Sequence, residues 1–199
     1  MDMAVAAPSR IGPNAITRVA EALNAQLGEL LTTEVFAAAG LLHHLASPPT
    51  HMVDEAEVTR LHRVLRSELG ERAAFAVARD AGLRTGDYLL GHRIPRPVQW
   101  LLKLLPPALA SRVLLSAIHK HAWTFAGSGS FSASAGLPVV LTIRGNPMCA
   151  GQTSTVPICD FYAATFERLF RVLVDPQTSV REVACEARGD DACRFELRW

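Results

Sequence analysis

Three of the chain's four cysteines, Cys159, Cys185 and Cys193, lie close to its carboxyl terminus. Cys185 and Cys193 bracket a short acidic turn, and residues that flank the turn of an antiparallel hairpin face each other with Cβ atoms about 5 Å apart. Cys159 comes directly before an aromatic-rich helical segment, where the helix dipole favours the thiolate that a metal requires. The sequence therefore predicts a fold in which a helix start and a hairpin bring three thiols together.

A fourth donor would complete a closed tetrahedral zinc shell of the structural kind, and Glu182, three residues before Cys185, is the first candidate. A spacing of three places two residues on opposite faces of a regular strand. The shell therefore requires a bulge near Ala184, or Glu186 as the ligand instead. Two alternatives stay open on spacing alone, namely buried free thiols and a disulfide across the hairpin. Cys149 lies on a predicted loop and has no part in this shell.

The composition favours a folded domain and gives no electrostatic reason to expect nucleic acid. The chain has 199 residues, of which 49% are hydrophobic and 20% charged, with a net charge of +1. No apolar run reaches the roughly 20 residues that a bilayer span needs. The segment Met1–Ala4 lacks the positive region of a signal peptide. We therefore expect a cytoplasmic protein without a membrane span, whose cysteines stay reduced.

Hydrophobic periodicity predicts helices first and strands last, after a flexible leader of residues 1–12. Helices are predicted at 15–27, 29–45, 55–69, 71–90, 108–125 and 161–174. Strands are predicted at 130–135, 137–144, 180–185 and 193–197. Asn14 and Asp54 are the expected helix caps, and the prolines within 91–97 exclude a regular helix there. This order predicts an α+β fold with an antiparallel sheet and helices stacked on one side.

A second group of residues points to ligand binding. His119, His121 and Trp123 follow one another at a predicted helix end, and His119 shares a face with Trp123. A histidine beside aromatic rings can ligate the metal of a porphyrin, although cationic residues are also ordinary at a helix end. Trp100 belongs to a large apolar face that is typical of a core or a dimer contact and also of a pocket wall.

Arginines close to this group are candidates for binding carboxylates. Arg93, Arg96 and Arg144 offer bidentate hydrogen bonds to a carboxylate, and the alternative is that they solvate exposed loops. Motifs for nicotinamide, flavin or nucleotide phosphates, and those of common hydrolases, do not occur in the sequence. The sequence therefore supports binding better than catalysis.

Three segments carry a resemblance to a known family. They are Cys159-Asp160-Phe161-Tyr162, Glu182-Val183-Ala184-Cys185 and Gly189-Asp190-Asp191-Ala192-Cys193-Arg194-Phe195. Over residues 70–199 the chain resembles the vinyl-4-reductase domain family, so we place a ligand-binding domain there and an N-terminal helical extension at 1–69. The whole chain, including Arg10–Asn14, resembles a family of bacteriochlorophyll-biosynthesis proteins from purple photosynthetic bacteria.

This resemblance implies an enclosed apolar cavity, as in Golgi-transport and haem nitric-oxide-binding domains, and a homodimer. It also implies a zinc site at Cys159, Glu182, Cys185 and Cys193, which favours Glu182 over Glu186. Our hypothesis is a tetrapyrrole-binding carrier or accessory protein that holds a magnesium porphyrin and works with enzymes of magnesium-porphyrin synthesis. The alternative is a 4-vinyl (8-vinyl) reductase of divinyl protochlorophyllide, which would need an external reductant.

Overall fold

The structure of the protein is a computed structural model that describes residues 9–199. Most of the predicted leader, residues 1–8, lies outside the described residues. The remainder of that leader is not flexible coil, because strand β1 (Arg10–Ile11) pairs antiparallel with β2 (Val53–Asp54). Burial of Ile11 explains the pairing, since its side chain belongs to the core.

Two long helices make up the N-terminal part, each interrupted at a glycine. α1 (Asn14–Ala38) and α3 (Glu55–His92) are separated by the short α2 (His43–Ala46). Gly28 in α1 and Gly70 in α3 have φ values of 84° and 73°, a left-handed conformation that glycine adopts without strain. Both breaks fall where the sequence predicts that one helix ends and the next begins. The division at residue 70 into two domains stays a prediction.

Of the two predicted helix caps, the one at Asp54 is confirmed and the one at Asn14 is wrong. The side chain of Asp54 accepts a hydrogen bond from the backbone N–H of Ala56 at 2.8 Å, as expected of a helix cap. Asn14 does not cap α1, because Pro13 occupies the cap position and Asn14 is already helical. The Asn14 side chain instead accepts a hydrogen bond from Arg18, one turn along the helix, at 3.5 Å.

Three shorter helices follow, α4 (Arg96–Leu104), α5 (Pro107–Lys120) and α6 (Trp123–Ala126). The irregular segment predicted over 91–97 is shorter than expected, since α3 continues to His92 and α4 already begins at Arg96. Pro97 does not prevent this, because it occupies the first turn, where its missing N–H has no helical partner. Among residues 9–199, no helix combines the length and the apolar character that crossing a bilayer requires.

A four-stranded antiparallel sheet forms the C-terminal part, in the order β3-β4-β6-β5. Its strands are β3 (Ser130–Ser134), β4 (Val139–Arg144), β5 (Ser179–Ala184) and β6 (Cys193–Arg198), and α7 (Asp160–Leu173) connects β4 to β5. The register of β5 on β6 shifts between Glu182 and Ala184. The irregularity near Ala184 that Glu182 would need as a ligand is therefore present, and the predicted α+β class is confirmed.

Close contact between α3 and α7 joins the two parts. Gly82 and Gly86 of α3 face α7, where a Cβ atom at Gly82 would collide with the carbonyl oxygen of Phe161. At Gly86 a Cβ atom would meet the side chain of Arg168 at 2.6 Å. These glycines therefore permit the two helices to approach more closely than side chains would allow, which compensates for their low helix propensity.

Aromatic side chains fill the layer between the sheet and α7. Phe125, Phe131, Tyr162, Phe166 and Phe195 form this aromatic cluster, with neighbouring ring centroids 5.3–6.4 Å apart. A pocket of about 340 Å³ lies elsewhere, at the surface between α3 and the segment before α7.

Candidate functional site

All four cysteines meet in one buried cluster between the sheet and the start of α7. Cys159 is the residue before α7, Cys185 follows β5, and Cys193 begins β6. The fourth, Cys149, comes from the turn after β4. The four sulfur atoms all lie within 4.8 Å of one another. The predicted convergence of a helix start and a hairpin is therefore present, with one more thiol than expected.

Distances between the sulfurs fit a tetrahedral metal site. Cys159 Sγ is 3.8 Å from Cys185 Sγ and 3.6 Å from Cys193 Sγ, and the latter two are 4.0 Å apart. Cys149 Sγ is 3.6 Å from Cys193 Sγ. Zinc–sulfur bonds of about 2.3 Å place the sulfurs of a tetrahedral site about 3.8 Å apart, whereas a disulfide needs about 2.0 Å. All four are free cysteines, which excludes the cross-hairpin disulfide in this structure.

Hydrogen bonds to sulfur also fit thiolate ligands. The side-chain amide of Asn146 donates to Cys159 Sγ at 3.2 Å, and the backbone N–H of Glu186 donates to Cys193 Sγ at 3.4 Å. Donors of this kind stabilise the negative charge of a metal-bound thiolate. Four thiolates in this arrangement would form a closed shell of the kind that zinc has in structural sites.

Charge in the cluster is set by burial and by its neighbours. Burial raises the pKa of the Cys159 thiol, while hydrogen bonds from the thiols of Cys149, Cys159 and Cys193 lower the pKa of Cys185. The nearby cation is the guanidinium of Arg66. Burial lowers the pKa of Arg66, and a negative charge on Cys159 opposes that lowering. Four thiols cannot all ionise in a buried space without a cation among them, which is what a metal ion would supply.

Glu182 lies beside the thiols and is not one of the four clustered donors. Its Oε2 accepts the backbone N–H of Cys159 at 2.7 Å, and its Oε1 is buried without a partner among the described residues. Burial, followed by the charge of Cys185, raises its pKa to about 9. The cluster of four thiols therefore offers Cys149 as an alternative to Glu182 as the fourth ligand, and the set with Glu182 stays a prediction.

Glu186, the other acidic candidate, holds the turn that carries Cys149. Its two carboxylate oxygens accept the backbone N–H groups of Gly145 and Asn146, both at 2.7 Å. The side chain of Asn146 in turn accepts the backbone N–H of Met148 at 2.9 Å. These contacts fix the turn over the hairpin. The signal that sequence reasoning missed is the Asn-Pro-Met-Cys segment, in which the asparagine closes a turn on its own backbone.

The seven predicted ligand-binding residues are all exposed, and none of them lines the pocket of about 340 Å³. They are Arg93 after α3, Arg96 and Trp100 on α4, His119 and His121 at the end of α5, Trp123 on α6 and Arg144 at the end of β4. The ring of His119 lies 6.2 Å from that of Phe131, at the edge of the aromatic cluster. Arg144 donates to the carboxylate of Asp191 at 3.0 Å. Their role in ligand binding stays a prediction.

Two further groupings could not be found from sequence spacing. His44 Nε2 lies 2.9 Å from a carboxylate oxygen of Glu57, and the ring of His43 lies 4.0 Å from that of His44, tilted by 44°. His62 is buried in the core, and both of its ring nitrogens are without a hydrogen-bond partner among the described residues. Its ring meets that of Phe161 edge-on at 5.7 Å.

The fold and the thiol cluster define the class of protein to which the chain belongs. Residues 139–199, which include all four cysteines, match the vinyl-4-reductase domain family. The chain is 48% identical to the "Bacteriochlorophyll synthase 23 kDa chain" of Cereibacter sphaeroides over 188 residues, covering 94% of this chain and 90% of that protein. Identity to the protein of the same name from Rhodobacter capsulatus is 39%, over 94% of this chain and 86% of that protein. The chain therefore belongs to the family of these 23 kDa chains, and the resemblance predicted from its motifs is confirmed.

Solved structures with the same fold are H-NOX proteins. A mutant H-NOX protein from K. algicida, in an unliganded Fe(II) form, has a TM-score of 0.62 at 10% identity and covers 94% of this chain and 96% of its own. An H-NOX protein from S. oneidensis in the Fe(II)NO state has a TM-score of 0.57 at 11% identity, and the match covers 94% of this chain and 98% of that chain. At these identities the likeness establishes the fold alone.

Proposed function

We propose that the protein is a tetrapyrrole-binding accessory protein of bacteriochlorophyll biosynthesis. The observation that carries the proposal is 48% identity, along 94% of the chain, to a protein named as a bacteriochlorophyll synthase chain. The fold supports binding of a macrocycle, because it is shared with H-NOX proteins, of which one structure concerns haem distortion. In this role the protein holds a magnesium porphyrin for the enzymes that make and use it.

The aromatic cluster and the end of α5 are the proposed binding region. A flat tetrapyrrole stacks favourably on rings such as Phe125 and Phe131. His119 lies at the end of α5 with its ring 6.2 Å from that of Phe131, and its imidazole is the proposed ligand of the magnesium. His121 and Trp123 follow directly, and binding requires α5 and α6 to move so that the macrocycle can enter. Arg144 is already paired with Asp191 and contributes less to binding.

The thiol cluster has a structural role in this proposal. Cys149, Cys159, Cys185 and Cys193 hold a zinc ion that ties the turn after β4, the start of α7 and the last hairpin together. A shell of four thiolates leaves no open position for substrate or water, so the ion would supply folding energy rather than chemistry.

Titration of the purified full chain with magnesium protoporphyrin tests the binding proposal. We expect a shift of the main absorption band with saturation at micromolar concentration, and a His119→Ala variant with at least about tenfold weaker binding. His51→Ala, which removes an exposed histidine far along the chain, is the matched control. Absence of any spectral shift for the folded wild-type protein would overturn the proposal.

The reductase alternative is distinguished by turnover. If purified protein with NADPH or reduced ferredoxin consumed the vinyl group of a divinyl substrate under anaerobic conditions, the protein would be an enzyme. Binding without turnover supports the accessory role.

A further inference from the structure

Exposed apolar side chains are concentrated on the two helices α4 and α5. Of the fourteen large hydrophobic residues exposed in the described part of the chain, seven lie between residues 98 and 123. Trp100 is 68% exposed, Leu104 63% and Leu101 56%. Only Leu102 of α4 is buried. This helix therefore presents most of its apolar surface to the outside, unlike α7, whose residues are mostly buried.

The charge of this part of the chain is entirely positive. No acidic residue occurs between Asp87 and Asp160, whereas both lysines of the chain and four arginines do. Several arginines outside this segment form ion pairs, as Arg79 does with Glu167 and Arg84 with Asp80, and within it Arg144 pairs with Asp191. The basic residues of α4 and α5 make no ion pair within residues 9–199. Their charges are therefore available to an anionic partner.

The two kinds of side chain alternate on one side of each helix. On α4, Trp100 shares a face with Leu104 and lies between Arg96 and Lys103 at spacings of four and three. The opposite side of α4 faces inward, where the Gln99 amide donates to the carbonyl oxygens of Leu90 and Ile94.

Helix α5 continues the same pattern. Leu109 and Val113 are exposed and one turn apart, with Arg112 and Lys120 exposed on the same helix. We call these side chains the apolar-basic surface. Its members are Arg96, Trp100, Leu101, Lys103, Leu104, Leu109, Arg112, Val113 and Lys120.

We propose that the apolar-basic surface docks the protein onto the surface of an anionic lipid bilayer. Tryptophan and leucine side chains between lysine and arginine are typical of helices that lie in the plane of a membrane interface. With nine residues, α4 is too short to cross a bilayer and long enough to lie on one. The lipid phosphates supply the negative charge that the chain itself lacks here.

A second copy of the chain fits this surface less well than lipid does. A twofold symmetric dimer through the surface would bring the same basic patch of both copies, with Arg96, Lys103 and Arg112, into one interface that holds no acidic residue of this segment. Such like-charge contacts oppose association, whereas an anionic bilayer is complementary both to the charge and to the apolar side chains.

Co-sedimentation of the full chain with vesicles tests the proposal without any tetrapyrrole. We expect binding to vesicles of about one-third phosphatidylglycerol in phosphatidylcholine, weak binding to pure phosphatidylcholine, and release when salt is raised from about 0.05 M to 0.5 M. Trp100→Ala with Leu104→Ala lowers the partition coefficient at least about tenfold. Arg96→Gln or Lys103→Gln lowers it about fivefold each.

Matched variants on other surfaces serve as controls. Leu30→Ala removes a leucine that is 73% exposed on α1, and Arg181→Gln removes an exposed arginine on β5. Both should bind vesicles like the wild type. The proposal is overturned if the folded protein does not bind anionic vesicles, or if the controls weaken binding equally. It is also overturned if the Trp100 and Leu104 substitutions dissolve a dimer seen by sedimentation velocity. Porphyrin titration is a separate measurement, so either proposal can fail alone.

Discussion

The sulfur of Cys149 lies 3.6 Å from the sulfur of Cys193, although 44 residues separate them along the chain. Cys193 is the first residue of β6, whereas Cys149 lies in the turn after β4. The carboxylate of Glu186 binds the turn before Cys149 through two backbone N–H groups, and its own backbone N–H donates to Cys193 Sγ. One residue of the hairpin turn thus positions both sulfurs.

The first prediction distinguishes a shell of four thiolates from one of three thiolates and a glutamate. Cys149→Ser should lose zinc on dialysis against a chelator that leaves the wild type with one equivalent, because a serine hydroxyl is a poor ligand for zinc. Glu182→Gln should retain zinc with an affinity at most about 100-fold lower, since Glu182 contacts the backbone of a ligand. Metal analysis after dialysis measures both. Zinc retained in Cys149→Ser and lost in Glu182→Gln would restore the shell implied by the resemblance.

A second prediction concerns Glu186. Glu186→Gln keeps the size of the side chain but can accept only one of the two N–H groups of the turn. Zinc affinity should fall about 10- to 100-fold, as is typical when a partner that orients a ligand is lost. Glu196→Gln, on the neighbouring strand β6, is the control and should leave the affinity unchanged. Competition with a chromophoric chelator measures the difference.

Removal of zinc should destabilise the whole domain. A metal that binds only the folded chain stabilises it by about 4 kcal/mol when its free concentration is 1,000 times the dissociation constant. Urea denaturation with and without a chelator, under reducing conditions, measures this difference. Equal stability of the two samples would show that the thiols are simply a buried part of the core.

The sequence was sufficient for the class of fold and for three of the four thiols, because periodicity and the hairpin spacing are local properties. The bulge at Ala184 was expected only on the assumption that Glu182 binds the same ion as Cys185. Cys149 was not, because its position depends on contacts between Glu186 and a turn some 40 residues away. Tertiary hydrogen bonds of this kind leave no periodic signal in the sequence.

Exposure was the other property that the sequence did not reveal. Trp100 and its neighbours have the pattern of a core helix, and only the structure places them outside. Conversely, Gly82 and Gly86 weaken the pattern of α3, yet they lie in its most closely packed part. Packing against α7 outweighs helix propensity there.

Substitution of Gly82 tests the contact between α3 and α7. Gly82→Ala should destabilise the protein by roughly 1–3 kcal/mol, because the new methyl group forces the two helices apart. Gly91→Ala is the matched control in the last turn of the same helix, where a Cβ atom has no neighbour within 4 Å. It should be neutral or stabilising by up to about 1 kcal/mol, since alanine favours a helix more than glycine. Denaturant midpoints of both variants measure the contrast.

The buried His62 should make stability depend on pH. Burial, and to a smaller extent the charge of Arg66, lowers its pKa from 6.5 to about 3. Between these pH values the unfolded chain takes up a proton that the folded chain excludes. The contribution of His62 to the free energy of unfolding should therefore fall as the pH drops below 6.5, by up to about 1.4 kcal/mol per unit.

His62→Leu removes this site of proton uptake. The free energy of unfolding should then depend less on pH between pH 6.5 and the onset of acid unfolding. Near pH 7.5, where the histidine is neutral in both states, the variant should be about as stable as the wild type. The substitution removes two buried ring nitrogens that have no hydrogen-bond partner in the described part of the chain, and the leucine side chain fills a similar space. His51→Leu, which removes an exposed histidine, should keep the wild-type slope. Urea denaturation at half-unit pH intervals provides the comparison, and parallel profiles for wild type and His62→Leu would show that His62 is protonated in the fold.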